Sequence, residues 1–209
     1  MIYSKKQLAV TLSRLEAFER PSFLLEQYPT DSEIAADVLW NAHLNNDIEG
    51  KVVADLGCGT GILGIGAMFF SPKKIYFVDI DEKPLKKLEN NLGLLELESE
   101  KEIICADIRN FSKQVDLVIQ NPPFGVKKEH ADRIFLDAAF KIAKVIYSFH
   151  KIESENFIEK FSKDCGFKIT HLFRFDFPLK KTMDFHTKRI EKIKVGCWRI
   201  EKDIKKGIV

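Results

Sequence analysis

An apolar run from Val115 to Gln120 ends in Asn121-Pro122-Pro123-Phe124-Gly125, and this corner has the residue types for chemistry on a planar nitrogen. An aromatic amine such as adenine N6 is a poor nucleophile because its lone pair is delocalised into the ring. Activating it calls for hydrogen-bond acceptors rather than a strong base. The Asn121 side-chain oxygen and the Pro122 carbonyl can both accept from one NH2 group, drawing it toward tetrahedral geometry and steering its lone pair at an electrophile. Pro123 stiffens the corner, and a proline offers no competing N–H. Phe124 gives a stacking face for a planar target that must leave any helix to reach the corner. A rigid turn without chemistry is the plainer interpretation of two prolines at a strand end.

A second chemical feature is Asp55-Leu56-Gly57-Cys58-Gly59-Thr60-Gly61, between an apolar run and a helical one. Glycines here permit a sharp turn and let a ligand lie against bare backbone near a helix N-terminus. Gly59, Gly61 and Gly64 also satisfy the dinucleotide pattern G-x-G-x-x-G, with Asp79 at a ribose-holding distance, so the loop alone does not name its ligand. The acidic residues separate the choices. Asp55 could hold the amino group of a methionine moiety, directly or through water, where a pyrophosphate would be repelled. Asp107, taken as ending the third strand, could bind an exocyclic amine. Asp55, Asp79 and Asp107 at successive strand ends suit a ligand with a cationic end, two ribose hydroxyls and an amine, which favours S-adenosylmethionine over NAD. Singly, any of the three could be a cap or turn residue, as Asp81 is expected to be for the next helix.

The elements that must position these groups alternate short apolar runs with longer amphipathic ones, the pattern of an α/β fold with a mostly parallel sheet. Strands are expected at Lys51 to Leu56, Lys74 to Ile80, Ile103 to Ala106, Val115 to Gln120, Val145 to His150, Phe167 to Phe177 and Lys192 to Ile200. Helices are expected at Gly61 to Phe70, Glu82 to Leu92, Ala131 to Lys144 and Ser154 to Cys165. No strong helix separates the last two strands, so an antiparallel pair should close one edge of the seven-stranded sheet. Residues 1–48 form a helical extension to a single domain of residues 1–209. It holds one helix from about Ser4 to Phe18, on the stripe Leu8, Leu12 and Leu15, and a second from Thr30 to Asn45, opened by a capping box of Thr30 and Glu33.

Composition bounds the rest. The 209 residues, 45% hydrophobic and 31% charged, exclude global disorder and two full catalytic domains. No run of roughly 18 apolar residues or signal-peptide core is present, and a cytoplasmic protein is expected. Cys58, Cys105, Cys165 and Cys197 lack metal-ligand spacing and read as free, buried thiols, and no metal is expected. His43, His130, His150 and His171 read as structural or solvent-facing, and Trp40 and Trp198 as core or partner-facing. From Lys168 onward there are 12 Lys and Arg against 5 Asp and Glu, net +7, which leaves 21 against 26, net −5, before it. Lys180, Lys181, Lys188, Arg189, Lys192 and Lys194 gather around Phe185 and His186, a composition fit to grip a phosphate backbone, with a solvated edge as the bland alternative.

Asp55 to Gly61 with Asn121 to Phe124 resembles the class I S-adenosylmethionine-dependent methyltransferases acting on planar or amide nitrogen. Leu24-Leu25-Glu26-Gln27-Tyr28-Pro29-Thr30, Val52 to Gly59, Phe77 to Asp81, Asn121 to Gly125 and Val145 to Lys151 together resemble the methyltransferase-like protein five family over nearly the whole chain. The resemblance implies a Rossmann-like class I sheet and methylation of adenine N6 in small-subunit ribosomal RNA. It implies cofactor contacts at Gln27, Thr30, Gly57, Thr60, Ile62, Asp79, Asp107 and Ile108, beside the Asp55, Gly59 and Ile80 of the same strand ends. Catalysis falls to Asn121, Pro122, Pro123 and Phe124. Thr60 departs from the cysteine of eukaryotic members but keeps a small side chain. Phe185-His186-Thr187-Lys188 resembles a stretch of that family and points to RNA contact through Lys180, Lys181, His186, Lys188 and Arg189. Eukaryotic members work with a small zinc-binding activator of the Trm type, a partner the resemblance extends to this chain. Other readings are a protein-glutamine methyltransferase of the release-factor type, whose motif usually carries tyrosine, a DNA adenine methyltransferase, and a non-enzymatic RNA-binding factor.

Overall fold

Apolar runs bounded by glycine or proline become the central strands of the sheet. The computed structural model describes residues 4–17, 30–123, 131–179 and 191–203. Its strands are β1 (Val52–Leu56), β2 (Lys74–Asp79), β3 (Glu100–Cys105), β4 (Leu117–Gln120), β5 (Val145–Lys151), β6 (Phe167–Leu179) and β7 (Glu191–Lys202). They form one sheet in the order β3-β2-β1-β4-β5-β7-β6, with β1 to β5 parallel and β7 antiparallel to both of its neighbours. The antiparallel pair expected at one edge is present. Strand order reverses between β1 and β4, and in open α/β sheets that is where a crevice opens beyond the strand C-termini.

Six helices among the described residues cover the two faces: α1 (Lys5–Leu12), α2 (Ser32–Leu44), α3 (Ile62–Met68), α4 (Glu82–Gly93), α5 (Ala131–Ile142) and α6 (Glu155–Asp164). On one face, Leu8 and Leu12 of α1, Leu39 of α2, Ile65 of α3 and Leu88 of α4 share a core with Val53, Phe77 and Ile119 of the sheet. On the other, Leu136 and Ala139 of α5 and Ile158 of α6 pack with Ala54, Leu56, Val118 and Ile146. Trp198 is fully buried in this second core.

Four local expectations change. The first helix, expected to run to Phe18, stops at Leu12, where the Ser13 hydroxyl donates back to the Val10 carbonyl at 2.8 Å. Asp31, not Thr30, caps α2: its backbone is extended and its carboxylate accepts from the Glu33 and Ile34 N–H groups at 2.9 and 3.4 Å. β3 begins three residues early, because Lys74 pairs with both Glu100 and Glu102 and gives a charged segment its place beside β2. Cys105 and Cys165 are exposed rather than buried, while Cys58 and Cys197 are buried as expected.

The extension is tied to the antiparallel edge by a buried ionic cluster. The Arg199 guanidinium donates from Nε and Nη2 to the two Asp47 carboxylate oxygens at 2.8 and 3.0 Å, and the Tyr147 hydroxyl donates to the same carboxylate at 2.8 Å. The pair's side chains are only 10% and 8% exposed, so removing one partner strands the other without water. Arg199→Leu is expected to lower stability by about 3–5 kcal/mol in urea unfolding, and adding Asp47→Asn should recover part of that loss.

Candidate active site

The C-terminal ends of β1, β2 and β4 bring together residues far apart in sequence. Leu56 lies abreast of Val78 on β2 and Gln120 on β4, so the next residues, Gly57, Asp79 and Asn121, stand at one level, Asp79 as the last residue of β2. The glycine loop turns there on left-handed backbone. Gly57 has φ +68°, and a Cβ on it would stand 2.9 Å from the Phe135 ring. Gly61 has φ +89°, with Leu88 only 2.3 Å from where a Cβ would lie.

Two carboxylates fix this loop from below. The Asp79 carboxylate accepts from the Gly59 N–H at 2.8 Å and from the Asp81 N–H at 2.9 Å, while the Gly57 and Cys58 N–H groups donate to the Val78 carbonyl. The Asp55 carboxylate accepts from the Gly64 N–H at 2.7 Å, in the first turn of α3. Burial pushes the Asp55 carboxyl up to about 7, against the opposing pull of the Gly64 N–H and with a further rise from Asp79. Asp79 is raised as well, first by burial. Among the described residues neither carboxylate has an ion-pair partner. Two buried acids without a counter-cation, beside open backbone, fit a ligand that brings its own positive charge.

The remaining expected cofactor residues fall around this pair. Thr60 is buried in the loop, and its carbonyl accepts from the Asn91 side chain at 3.1 Å. Ile62 opens α3. Ile80, next to Asp79, is 61% exposed, an apolar surface that a planar ring could cover. Asp107 does not end β3. It caps a short 3-10 turn, Ile108–Asn110, and its carboxylate is held by the Arg109 guanidinium, with Ile108 buried beside it. Asn91, which sequence reading missed, also clasps the backbone of Glu16 through both ends of its carboxamide, at 2.7 and 3.1 Å. An uncharged residue on an amphipathic helix carries no signal of such a role.

At the corner, Asn121 Nδ2 donates to the Thr30 hydroxyl at 2.9 Å. Its Oδ1 is buried and has no hydrogen-bond partner among the described residues. Behind it, on the opposite face of the sheet, Gln120 Nε2 donates to Ser148 Oγ at 2.9 Å, and Ser148 Oγ lies 2.6 Å from His150 Nε2. Burial drives the His150 imidazole down to about 3. The ring is therefore neutral, with one nitrogen carrying a proton and the other able to accept. This buried chain fixes the end of β4, and sequence reading found only its histidine, as a structural residue.

Gln27, Phe124, Lys180, Lys181, His186, Lys188 and Arg189 lie outside the described residues, as do Lys127, Lys128, His130 and Phe185. The ends of the flanking strands are described. β5 pairs with β7 as far as Lys151 with Val195, whereas β6 and β7 continue to Leu179 with Glu191. The hairpin thus overshoots β5 on the side of the sheet that carries Asn121. Among the described residues there is no group of His, Cys, Asp and Glu fit to hold a metal ion and no helix long and apolar enough to cross a membrane.

Sheet order, loop and corner define a methyltransferase, and residues 31–145 match the family model of the methyltransferase small domain. The chain is 36% identical to the rRNA N(6)-adenosine-methyltransferase METTL5 of Danio rerio, over 93% of this chain and 97% of the relative. It is 31% identical to its Drosophila melanogaster counterpart, over 94% and 95%. The crystal structure of a candidate RNA methyltransferase from Pyrococcus horikoshii superposes with a TM-score of 0.89 at 41% identity, covering 97% of this chain and all of that one. This chain belongs to the METTL5 family of methyltransferases.

Two pH dependences follow. The unfolded His150 imidazole takes a proton near pH 6.5, the folded one only near about 3. Its burial therefore costs nothing above 6.5, and stability drains as pH falls from there toward 3, by up to about 1.4 kcal/mol per pH unit. His150→Gln should flatten this limb in urea midpoints taken against pH. For Asp55, a cationic ligand group needs the ionised carboxylate. Calorimetry should show S-adenosylhomocysteine, which keeps the amino group, weakening by up to about tenfold per pH unit below 7, and Asp55→Asn should abolish the slope.

Proposed function

We propose that this chain methylates N6 of an adenosine in ribosomal RNA of the small subunit, with S-adenosylmethionine as the methyl donor. The observation that carries the reading is the buried, unpartnered Oδ1 of Asn121 at the end of β4, level with the glycine loop. A lone acceptor there suits a substrate that arrives as a donor, and an exocyclic amine is such a substrate.

Asp55 would hold the cofactor's amino group and Asp79 its ribose hydroxyls. Gly57, Gly59, Thr60 and Ile62 would line its path, Ile80 would cover its base, and Asp107 with Ile108 would flank the base's amine; Gln27 would close it from the extension. When bound, the cofactor supplies an electrophilic methyl group on a sulfonium sulfur. The chain's own work is on the acceptor. Asn121 Oδ1 and the Pro122 carbonyl each accept one N6 hydrogen, which localises the nitrogen lone pair and aims it, and Pro123 keeps the corner from relaxing. Phe124 would stack on the base. No strong base is required, because an N6 proton becomes acidic only once the new bond has formed.

Two features support RNA as the acceptor: the overshooting hairpin that leads into Lys180, Lys181, His186, Lys188 and Arg189, and the net +7 from Lys168 onward. For a small zinc-binding activator of the Trm type, the supporting features are the resemblance to eukaryotic members and the edge position of β3, whose Ile103 and Ile104 are only partly buried.

Nucleoside mass spectrometry of ribosomal RNA treated with the protein and cofactor should reveal N6-methyladenosine. Asn121→Ala is expected to cut turnover by at least about a hundredfold while calorimetric affinity for S-adenosylhomocysteine stays within about threefold. Equal loss of both would remove Asn121 from the chemistry. Radiolabel that survives nuclease but not protease would transfer the reading to a protein glutamine.

A further inference from the structure

Thr30 belongs to the extension, 91 residues before Asn121, yet among the described residues the only hydrogen bond of its side chain is to that carboxamide. We infer that Thr30 is a positioning residue that sets which end of the Asn121 carboxamide faces the acceptor amine. The inference rests on the function proposed above and assigns Thr30 a task other than cofactor contact.

The two ends of a carboxamide are nearly the same size and opposite in hydrogen-bonding sense. With Oδ1 toward the site, Asn121 accepts from an incoming amine. With Nδ2 toward the site, it sets N–H against N–H and repels the group it must activate. The choice is made beneath the reacting atoms. Thr30 is buried, at 7% exposure, and its hydroxyl stands 2.9 Å from Nδ2. Two neighbouring facts leave that hydroxyl available. Asp31 takes the capping role at the start of α2 that Thr30 would otherwise fill, accepting from Glu33 and Ile34. Asn121 leaves β4 at a strand end held by the Gln120, Ser148 and His150 chain.

A threonine hydroxyl can accept or donate, so by itself it tolerates either orientation. Burial breaks the tie. The other end of the carboxamide, Oδ1, has less than 1 Å2 exposed and no partner among the described residues. An oxygen there leaves a single under-used acceptor, while an NH2 would leave two donors unpaired. Buried unpaired N–H groups are the rarer and costlier defect. Thr30 therefore takes the Nδ2 proton, and Oδ1 is presented before any substrate arrives.

The test is Thr30→Val, which keeps the shape and removes the hydroxyl, against Thr30→Ser, which keeps the hydroxyl. Valine is expected to lower kcat about tenfold or more at saturating RNA and cofactor, the size of one lost hydrogen bond. The RNA KM and the calorimetric affinity for S-adenosylhomocysteine should stay within about threefold, and serine should restore kcat to within about threefold of wild type. Independently of turnover, the Asn121 side-chain NH2 resonances of the ligand-free protein should shift in the valine variant and not in the serine variant. A valine variant with unchanged kcat, a loss confined to cofactor affinity, or a serine variant as poor as valine each overturns the inference. A wild-type chain that methylates no RNA would sink the adenosine reading instead, and the NH2 resonances would still decide whether Thr30 orients Asn121.

Discussion

One line of register carries the site. Val78, Leu56, Gln120 and Ser148 lie abreast on four parallel strands. A side-chain period of two means that a slip of one residue on any strand would turn its last side chain to the wrong face. Because β1 and β4 stop at this line and β2 one residue beyond it, Gly57, Asp79 and Asn121 stand at one level, with the glycine loop between Asp79 and the corner. The apolar cores on both faces hold that register, so each buried residue of β1 and β4 also bears on where the polar groups stand.

The electrostatics of the cleft run against ordinary burial. Asp55 and Asp79 lie close to each other under little solvent and answer mainly to backbone N–H groups of the loop and of α3. Acids held this way are unstable as charges until a cation joins them. The Gln120, Ser148 and His150 chain is a hydrogen-bonded line with a neutral ring at its end, indifferent to pH near neutrality. The face that carries the two acids is thus proton-sensitive, and the face that braces the corner is not.

Much of this could be read from residue order, wherever the cause is local. β1 and β4 are mainly apolar runs stopped by Gly57 and by Asn121-Pro122, and the sequence places them to within two residues. Asp81 caps α4 as its position implies. Long-range pairing was not legible. β3 starts inside a charged stretch because Lys74 of β2 neutralises it. Thr30 has the form of a helix cap, but Asp31 stands one residue closer to the helix with a stronger acceptor, and Thr30 is left for Asn121. Asn91 and Ser148 act through partners dozens of residues away, and nothing in their immediate neighbours marks them.

The clasp of Asn91 on Glu16 and Thr60 binds the start of the chain to the wall of the cleft. Leu12 seals the same arrangement from the side, filling the space that Gly66 leaves beside Leu39, and Leu8 is buried in the same core. The opening helix is thereby a wall stud rather than a porch. A homologue trimmed of it would keep every loop motif of a methyltransferase and lose the rigidity that lets those motifs hold a cofactor.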